Sequence, residues 1–255
     1  MRYQLWAKVE YDGTDFFGFQ VQARERTVQG EIERAIKAIT GVETRVTGAG
    51  RTDRGVHAKG QIVGFDVEWR HDLADLQQAL NATLAADVAI LEIGLAPEGF
   101  HPRFSAVSRT YRYTLLDQSW RSPLARRIAW HVTPEPDVYR MAQASHCLVG
   151  TQDFATFGQP PQAAIGRNTI RTVLQAEFQE QGSFITFDIA ANAFLYQMVR
   201  SIVGMLVLVG WGSISPEEFE ALLQARERSS IKQVAPAHGL CLMQVNYDTS
   251  KGVSQ

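Results

Sequence analysis

The chain has 255 residues, of which 45% are hydrophobic and 20% charged, with a formal net charge of −2. Those totals fit a soluble globular protein of one large domain or two of ordinary size. Two cysteines, Cys147 and Cys241, exclude a disulfide framework and lack metal-ligand spacing, and the most apolar run, Ser201 to Trp211, is far too short to span a membrane. Met1-Arg2-Tyr3-Gln4 leads straight into a strand pattern with no signal peptide, so a reducing, cytoplasmic setting is expected.

Arg2 to Tyr11 alternates strictly, with Tyr3, Leu5, Ala7, Val9 and Tyr11 on one face, and predicts a half-buried strand. Asp12-Gly13-Thr14 supplies turn chemistry, with Asp12 as turn former. Thr27 caps an expected helix whose stripe is Val28, Ile32, Ala35, Ile36 and Ile39. Gln61 to Trp69 reads as a strand, Asp72 opens a helix carrying Leu73, Leu76 and Leu80, and Val88 to Ile93 reads as a buried strand.

A comparable alternation then restarts. Arg109 to Leu116 predicts a strand, Asp137 caps a helix to about Leu148, and Thr172–Phe178 with Ser183–Ala190 predict an antiparallel pair. A long apolar helix is expected from about Ala193 to Val209, with Ala193, Gln197, Arg200 and Gly204 on one side. Ser215-Pro216-Glu217-Glu218 is a capping box with proline at the first helical position, and Leu240 to Tyr247 closes the chain as a strand. Each half thus reads as a ferredoxin-like strand-helix-strand-strand-helix-strand unit, with residues 1–104 forming one half and 105–255 the other.

Charge is unevenly placed. From His101 to Pro134 there are six arginines (103, 109, 112, 121, 126 and 127) and one acid, Asp117, while arginine outnumbers lysine 20 to 5. Arginine's planar fork suits phosphates and stacked bases, so a basic patch on a near-neutral protein is expected. Near the N-terminal third, Gly48-Ala49-Gly50-Arg51-Thr52-Asp53-Arg54-Gly55-Val56-His57-Ala58 sets one carboxylate between two permanent cations in a loop with little side-chain bulk. Such a carboxylate stays ionised at neutral pH, fit to act as a nucleophile or to stabilise charge.

The string Gly-Arg-Thr-Asp-Arg-Gly-Val-His-Ala closely resembles the catalytic motif of the tRNA pseudouridine synthase A family. So do Tyr11-Asp12-Gly13-Thr14 with Phe16, Gly18 and Gln20; Phe100-His101-Pro102-Arg103-Phe104-Ser105-Ala106; Tyr111-Arg112-Tyr113; and Ala235-Pro236-Ala237 before Gly239-Leu240. Gly150 with Asp153-Phe154 and Phe157 also fits, and Asn192-Ala193-Phe194-Leu195 to Met198-Val199-Arg200 and Ile202-Val203-Gly204 resembles the family's helix signature. Tyr196-Gln197 departs from it, since histidines are common there in relatives.

The resemblance implies the pseudouridine synthase fold: an α/β (α+β) chain of two ferredoxin-like (RRM-like) halves whose mainly antiparallel sheets flank a central cleft. It implies isomerisation of uridine to pseudouridine at positions 38, 39 and 40 of the tRNA anticodon stem-loop, by a cytoplasmic homodimer with no cofactor and no metal. Asp53 would be the nucleophile, Tyr111 would stack on the target base, and Arg200 would pair with Asp53. From the residues alone, Tyr111 fits core packing as well as stacking, and Arg200 fits snorkelling to solvent as well as pairing with a buried carboxylate. Arg51, Arg54, Lys59, Arg103 and Arg109 are candidates for RNA backbone contacts, and Leu240 for a wall of the uracil pocket. His57 and His101 read as hydrogen-bonded structural groups.

Two other classes compete. A non-catalytic RNA-binding protein would explain the arginines and aromatics but not a carboxylate among them. A haloacid dehalogenase-type phosphohydrolase is suggested by Val9-Glu10-Tyr11-Asp12-Gly13-Thr14, yet that family needs Asp where Glu10 stands, and magnesium with it.

Overall fold

The structure is a computed structural model and describes residues 2–159 and 168–248. The chain divides into two compact units, residues 1–109 with 241–255, and residues 110–240.

In the first unit the elements run β1 (Arg2–Tyr11), α1 (Val28–Thr40), β2 (Thr47–Gly48), β3 (His57–Glu68), α2 (Leu73–Thr83) and β4 (Val88–Leu95). The strands lie in the order β4-β1-β3-β2, all antiparallel, which is the ferredoxin-like arrangement the alternation implied. The alternation of β1 places Leu5, Ala7, Val9 and Tyr11 in the core. Trp6, on the other face, is also buried, because its indole covers Gly94, where a Cβ would come within 2.8 Å of Nε1. Thr27 caps α1 by accepting from the Gly30 amide, and Gly41 ends it at φ +74.

The two-residue β2 covers β3 only at Val63 and Gly64. The beginning of β3 is thereby left to pair, through His57 and Ala58, in parallel with Cys241 and Leu242 of β10 (Leu240–Tyr247). Gly60 permits the approach, since a Cβ there would lie 2.3 Å from the Met243 carbonyl oxygen. The closing strand, placed with residues 105–255 by the sequence, therefore belongs with the first unit. An unpaired stretch of strand edge draws it there.

In the second unit, β5 (Ala106–Asp117, from Thr110 onward) is followed by β6 (Trp130–Val132), α3 (Val138–Ser145) and β7 (Gly150–Asp153). Next come β8 (Ile170–Gln181), β9 (Phe184–Ala191), α4 (Met198–Gly210) and α5 (Pro216–Ala225). The sheet order is β5-β9-β8-β7, with β6 parallel to β5. Asp137 caps α3, and Ser215 with Glu218 forms the expected capping box on α5. Apart from Arg200 and Leu208, every residue of α4 is buried, as befits a helix apolar on all sides.

α4 begins five residues later than its apolar run suggested. Tyr196 is held in an extended bridge to Gln159, and Gln197 adopts a left-handed conformation at φ 60°, ψ 9°. Ala193 and Gln197 therefore do not lie on the helix, although Arg200 and Gly204 remain one turn apart along it.

Candidate active site

The Asp53 loop links β2 to β3, and its ends are tied down by buried polar groups. Gln61, fully buried on β3, donates from Nε2 to the Gly50 carbonyl at 2.8 Å, while the Ala49 amide donates to Ile62 O at 2.8 Å. The Thr52 hydroxyl shares a 2.8 Å hydrogen bond with the Tyr11 hydroxyl at the end of β1. Burial pushes the Tyr11 phenol well above its ordinary pKa, against smaller lowering effects from its bonds to Thr52 and Gln61, so it stays a neutral partner.

Residues 13–19 clasp the loop from the other side. The Phe19 amide donates to Thr52 O at 3.1 Å, and Gly55 N donates to Phe16 O at 3.3 Å. Gly13 N donates to His57 Nδ1 at 3.0 Å, so that histidine has the structural role read from the sequence. Asp12 likewise makes a turn, its Oδ1 accepting from Thr14 N at 3.0 Å. The backbones approach so closely that side chains are excluded. A Cβ on Gly13 would lie 2.0 Å from Val56 O, and one on Gly18, at φ +92, would lie 2.8 Å from Thr52 O.

Asp53 itself opens a tight turn: Val56 N donates to its carbonyl at 3.1 Å, with Gly55 at φ +78. Its side chain is half-buried, beside the exposed Arg51 and Arg54. The Arg54 guanidinium stacks 4.0 Å from the centre of the Phe17 ring, an aromatic support for which the sequence offered no signal. Lys59 is exposed, as is Arg103, whose guanidinium lies 5.6 Å from the ring of the exposed Phe104. The His101 ring accepts from the amides of Arg103 and Phe104, a structural role again.

Arg109 sits differently from the other basic candidates. It is only 7% exposed, and its guanidinium donates to the carbonyls of Ala49 at 2.9 Å, Arg103 at 2.6 Å and Ala106 at 3.3 Å. A buried fork that satisfies three carbonyls positions the Asp53 loop; it is not presented to a phosphate. Arg109→Met is expected to cost about 2–4 kcal/mol, because it orphans those carbonyls. Urea unfolding measures the loss, and an unchanged midpoint would remove Arg109 from this role.

In the second unit, Tyr111 is 8% exposed on β5, and its ring meets Phe194 edge-on with centroids 5.0 Å apart. Arg112 grips Asp188 through two 2.7 Å hydrogen bonds, so it braces β5 against β9. Tyr113, fully buried, donates to Pro236 O at 2.8 Å, and its ring fills the space where a Cβ on Gly239 would stand. That contact sets the start of β10 at Leu240, which is buried.

Arg200 is half-buried on α4 and donates from Nε to Ala235 O at 2.8 Å; the Ala235 amide returns a bond to Arg200 O at 2.9 Å. Gly204 makes room for this segment, since a Cβ there would lie 2.4 Å from Gln233 O. Arg228 reaches under the helix start, donating to Ser201 Oγ at 2.8 Å and to Gln197 Oε1 at 3.2 Å. Gln197, read from the sequence only as a helix residue, and Arg228, missed from the sequence, thus fix the end of the helix that carries Arg200. A non-glycine residue held left-handed next to a candidate site often marks function.

Among the described residues, no group of three or more His, Cys, Asp or Glu is placed to hold a metal ion. No helix among them is long and apolar enough to cross a membrane.

A family model described as tRNA pseudouridine synthase matches residues 7–105 and 144–248. The chain is 42% identical over 249 residues to tRNA pseudouridine synthase A of Halalkalibacterium halodurans, covering 97% of this chain and 94% of that protein. It is 43% identical over 244 residues to that of Roseiflexus castenholzii, covering 94% and 89%, and 40% identical over 240 residues to that of a Geobacter species, covering 94% and 96%. Among solved structures, a Cbf5-Nop10-Gar1 complex covers 80% of this chain and 54% of that chain at 12% identity and a TM-score of 0.33, too loose a likeness to carry an argument.

Proposed function

The chain belongs to the tRNA pseudouridine synthase A family of isomerases, and on that premise we propose that it converts uridine to pseudouridine at positions 38, 39 and 40 of the tRNA anticodon stem-loop. The reading is carried by one observation. Asp53 stands at the tip of a glycine-flanked turn whose neighbours on either side are bonded to buried groups of β1, β3 and residues 13–19. A carboxylate held so firmly, between cations, is preorganised for charge that develops at a reacting sugar or base.

In the reaction the ribose C1′–N1 bond breaks, the uracil turns while held, C1′ joins C5, and the C5 proton leaves as N1 gains one. Attack at C1′, attack at C6 and a glycal route all begin with one carboxylate, assigned here to Asp53 as nucleophile. Tyr111 stacks on the swung-out uracil, contributing about 1–3 kcal/mol toward its extrusion. Arg200 pairs with Asp53 and keeps it anionic. Arg51, Arg54, Lys59 and Arg103 contact the RNA backbone, and Leu240 walls the base. The working form is a homodimer, an assignment that rests on the family resemblance, and the cytoplasm is its expected setting.

Tritium release from C5-labelled uridine in tRNA tests the reaction directly, because that hydrogen must leave. Substrates altered singly at 38, 39 or 40 test the sites; release that ignores all three would refute the assignment. Arg200→Ala is expected to lower turnover about 100-fold with little change in tRNA affinity, as loss of an orienting partner should. Equal turnover would reject the pairing.

A further inference from the structure

We propose that the second unit carries a separate phosphate-binding site that grips the tRNA backbone away from the reacting uridine. The proposal rests on the tRNA reading above. The site is a cavity of about 310 Å³ whose lining includes Arg121, Ser122, Arg126, Trp130, His131 and His238, with no acid among its lining residues. Leu116 forms part of its floor and stands five residues beyond Tyr111 on β5, about 17 Å along the strand. It is therefore distinct from the position assigned to the stacked base.

The segment that builds it is held at its apolar side and open at its charged side. Ala125 and Ala129 are buried against Leu116, while Ala125 N donates to Ser122 Oγ at 3.2 Å and Ala129 N to Ala125 O at 3.0 Å. This turn anchors the backbone and leaves Arg121 and Arg126 exposed. One Arg126 Nη1 bond goes to Pro123 O at 3.0 Å, which orients the guanidinium. His131 Nε2 lies 2.8 Å from the Gln118 carbonyl, so that nitrogen carries the ring proton and donates it. The two guanidinium groups supply permanent positive charge, and Trp130 gives an aromatic wall.

A small metabolite is normally enclosed by its site, with most of its surface buried. Here the cations come from exposed residues, and Trp120 (83% exposed) and Leu124 (94% exposed) belong to the same segment. An open cationic rim with apolar neighbours suits a polymer that passes across it. Two permanent cations, with no acid in the lining itself and Asp117 beyond His131, favour a phosphodiester backbone over a neutral or basic ligand.

The test is the salt dependence of tRNA binding by the full-length protein, measured by filter binding or anisotropy from 50 to 300 mM KCl. Arg121→Gln/Arg126→Gln should weaken binding about 10- to 100-fold at low salt and reduce the slope of log affinity against log salt by about 1.5. Arg121→Lys/Arg126→Lys should restore most of the slope. Arg127→Gln, one residue on and outside the cavity, should change it by less than half as much. Wild-type slope and affinity in the double Gln variant would overturn the proposal, as would an equal loss in Arg127→Gln. Uridine monophosphate and inorganic phosphate, titrated calorimetrically, distinguish the source: binding lost in the double variant without any change in tRNA affinity would mean a free phosphate ester and overturn the tRNA assignment. Absence of tritium release by the wild type would instead defeat the functional reading, whatever the slopes.

Discussion

Asp53→Asn is expected to lower tritium release from tRNA by about 10,000-fold or more while leaving tRNA affinity unchanged or slightly tighter. The amide has the carboxylate's shape, so the loop's anchors at Thr52, Gly50 and Gly55 are untouched. What is lost is a negative, nucleophilic oxygen. Affinity should not suffer, because a carboxylate between Arg51 and Arg54 repels phosphate and its removal leaves the cations in place. Single-turnover kinetics with affinity measured in parallel separates the two effects. A non-catalytic RNA-binding protein would show no tritium release before or after the change. A magnesium-dependent phosphohydrolase read from Val9–Thr14 would lose its activity in EDTA and ignore Asp53; Asp12 in that segment caps the turn at Thr14.

Gly13→Ala is expected to be the most damaging change outside the chemistry. The added Cβ would sit 2.0 Å from Val56 O, 2.5 Å from Val56 C and 3.1 Å from His57 N, all backbone atoms at the exit of the Asp53 loop. No rotamer relieves such a clash, so residues 12–14 or 55–57 must move. Overpacking of this kind costs about 1–3 kcal/mol, or roughly 3–10 °C in melting temperature for a chain of this size. The loss of rate should be larger in proportion, about 100-fold, since a displacement of about 1 Å at the carboxylate removes productive alignment. Gly41→Ala is the control: it also has positive φ, +74, but nothing lies within 4 Å of its would-be Cβ. It should cost about 1 kcal/mol and leave turnover alone. Equal turnover in the two variants would show that the clasp does not position Asp53.

The contrast between those two glycines also marks where sequence reading stops. Both look like turn residues, and only the neighbour 43 positions away distinguishes Gly13. The arginines behave likewise. Arg109 and Arg112 both counted toward the expected basic patch, yet one is buried among carbonyls and the other is clamped to Asp188, 76 residues distant. The apolar run from Ala193 looked helical from its start, but the bridge between Tyr196 and Gln159 and the left-handed Gln197 delay α4 to Met198. No pattern within the run announces a partner outside it.

Short-range chemistry, by contrast, was legible. The Thr27 cap, the Ser215–Glu218 box, the alternation of β1 and the contiguous Asp53 motif each depend on residues within a turn or two of one another. Their physics is complete in a few consecutive side chains, so periodicity and caps predicted most of the helices and strands of an α+β chain, while the family was legible through the resemblance of its contiguous motifs. Tertiary structure decided which strand edge receives β10, which arginines remain exposed, and which glycines cannot be replaced. Those outcomes depend on distances between residues far apart in the chain, and only folding sets them.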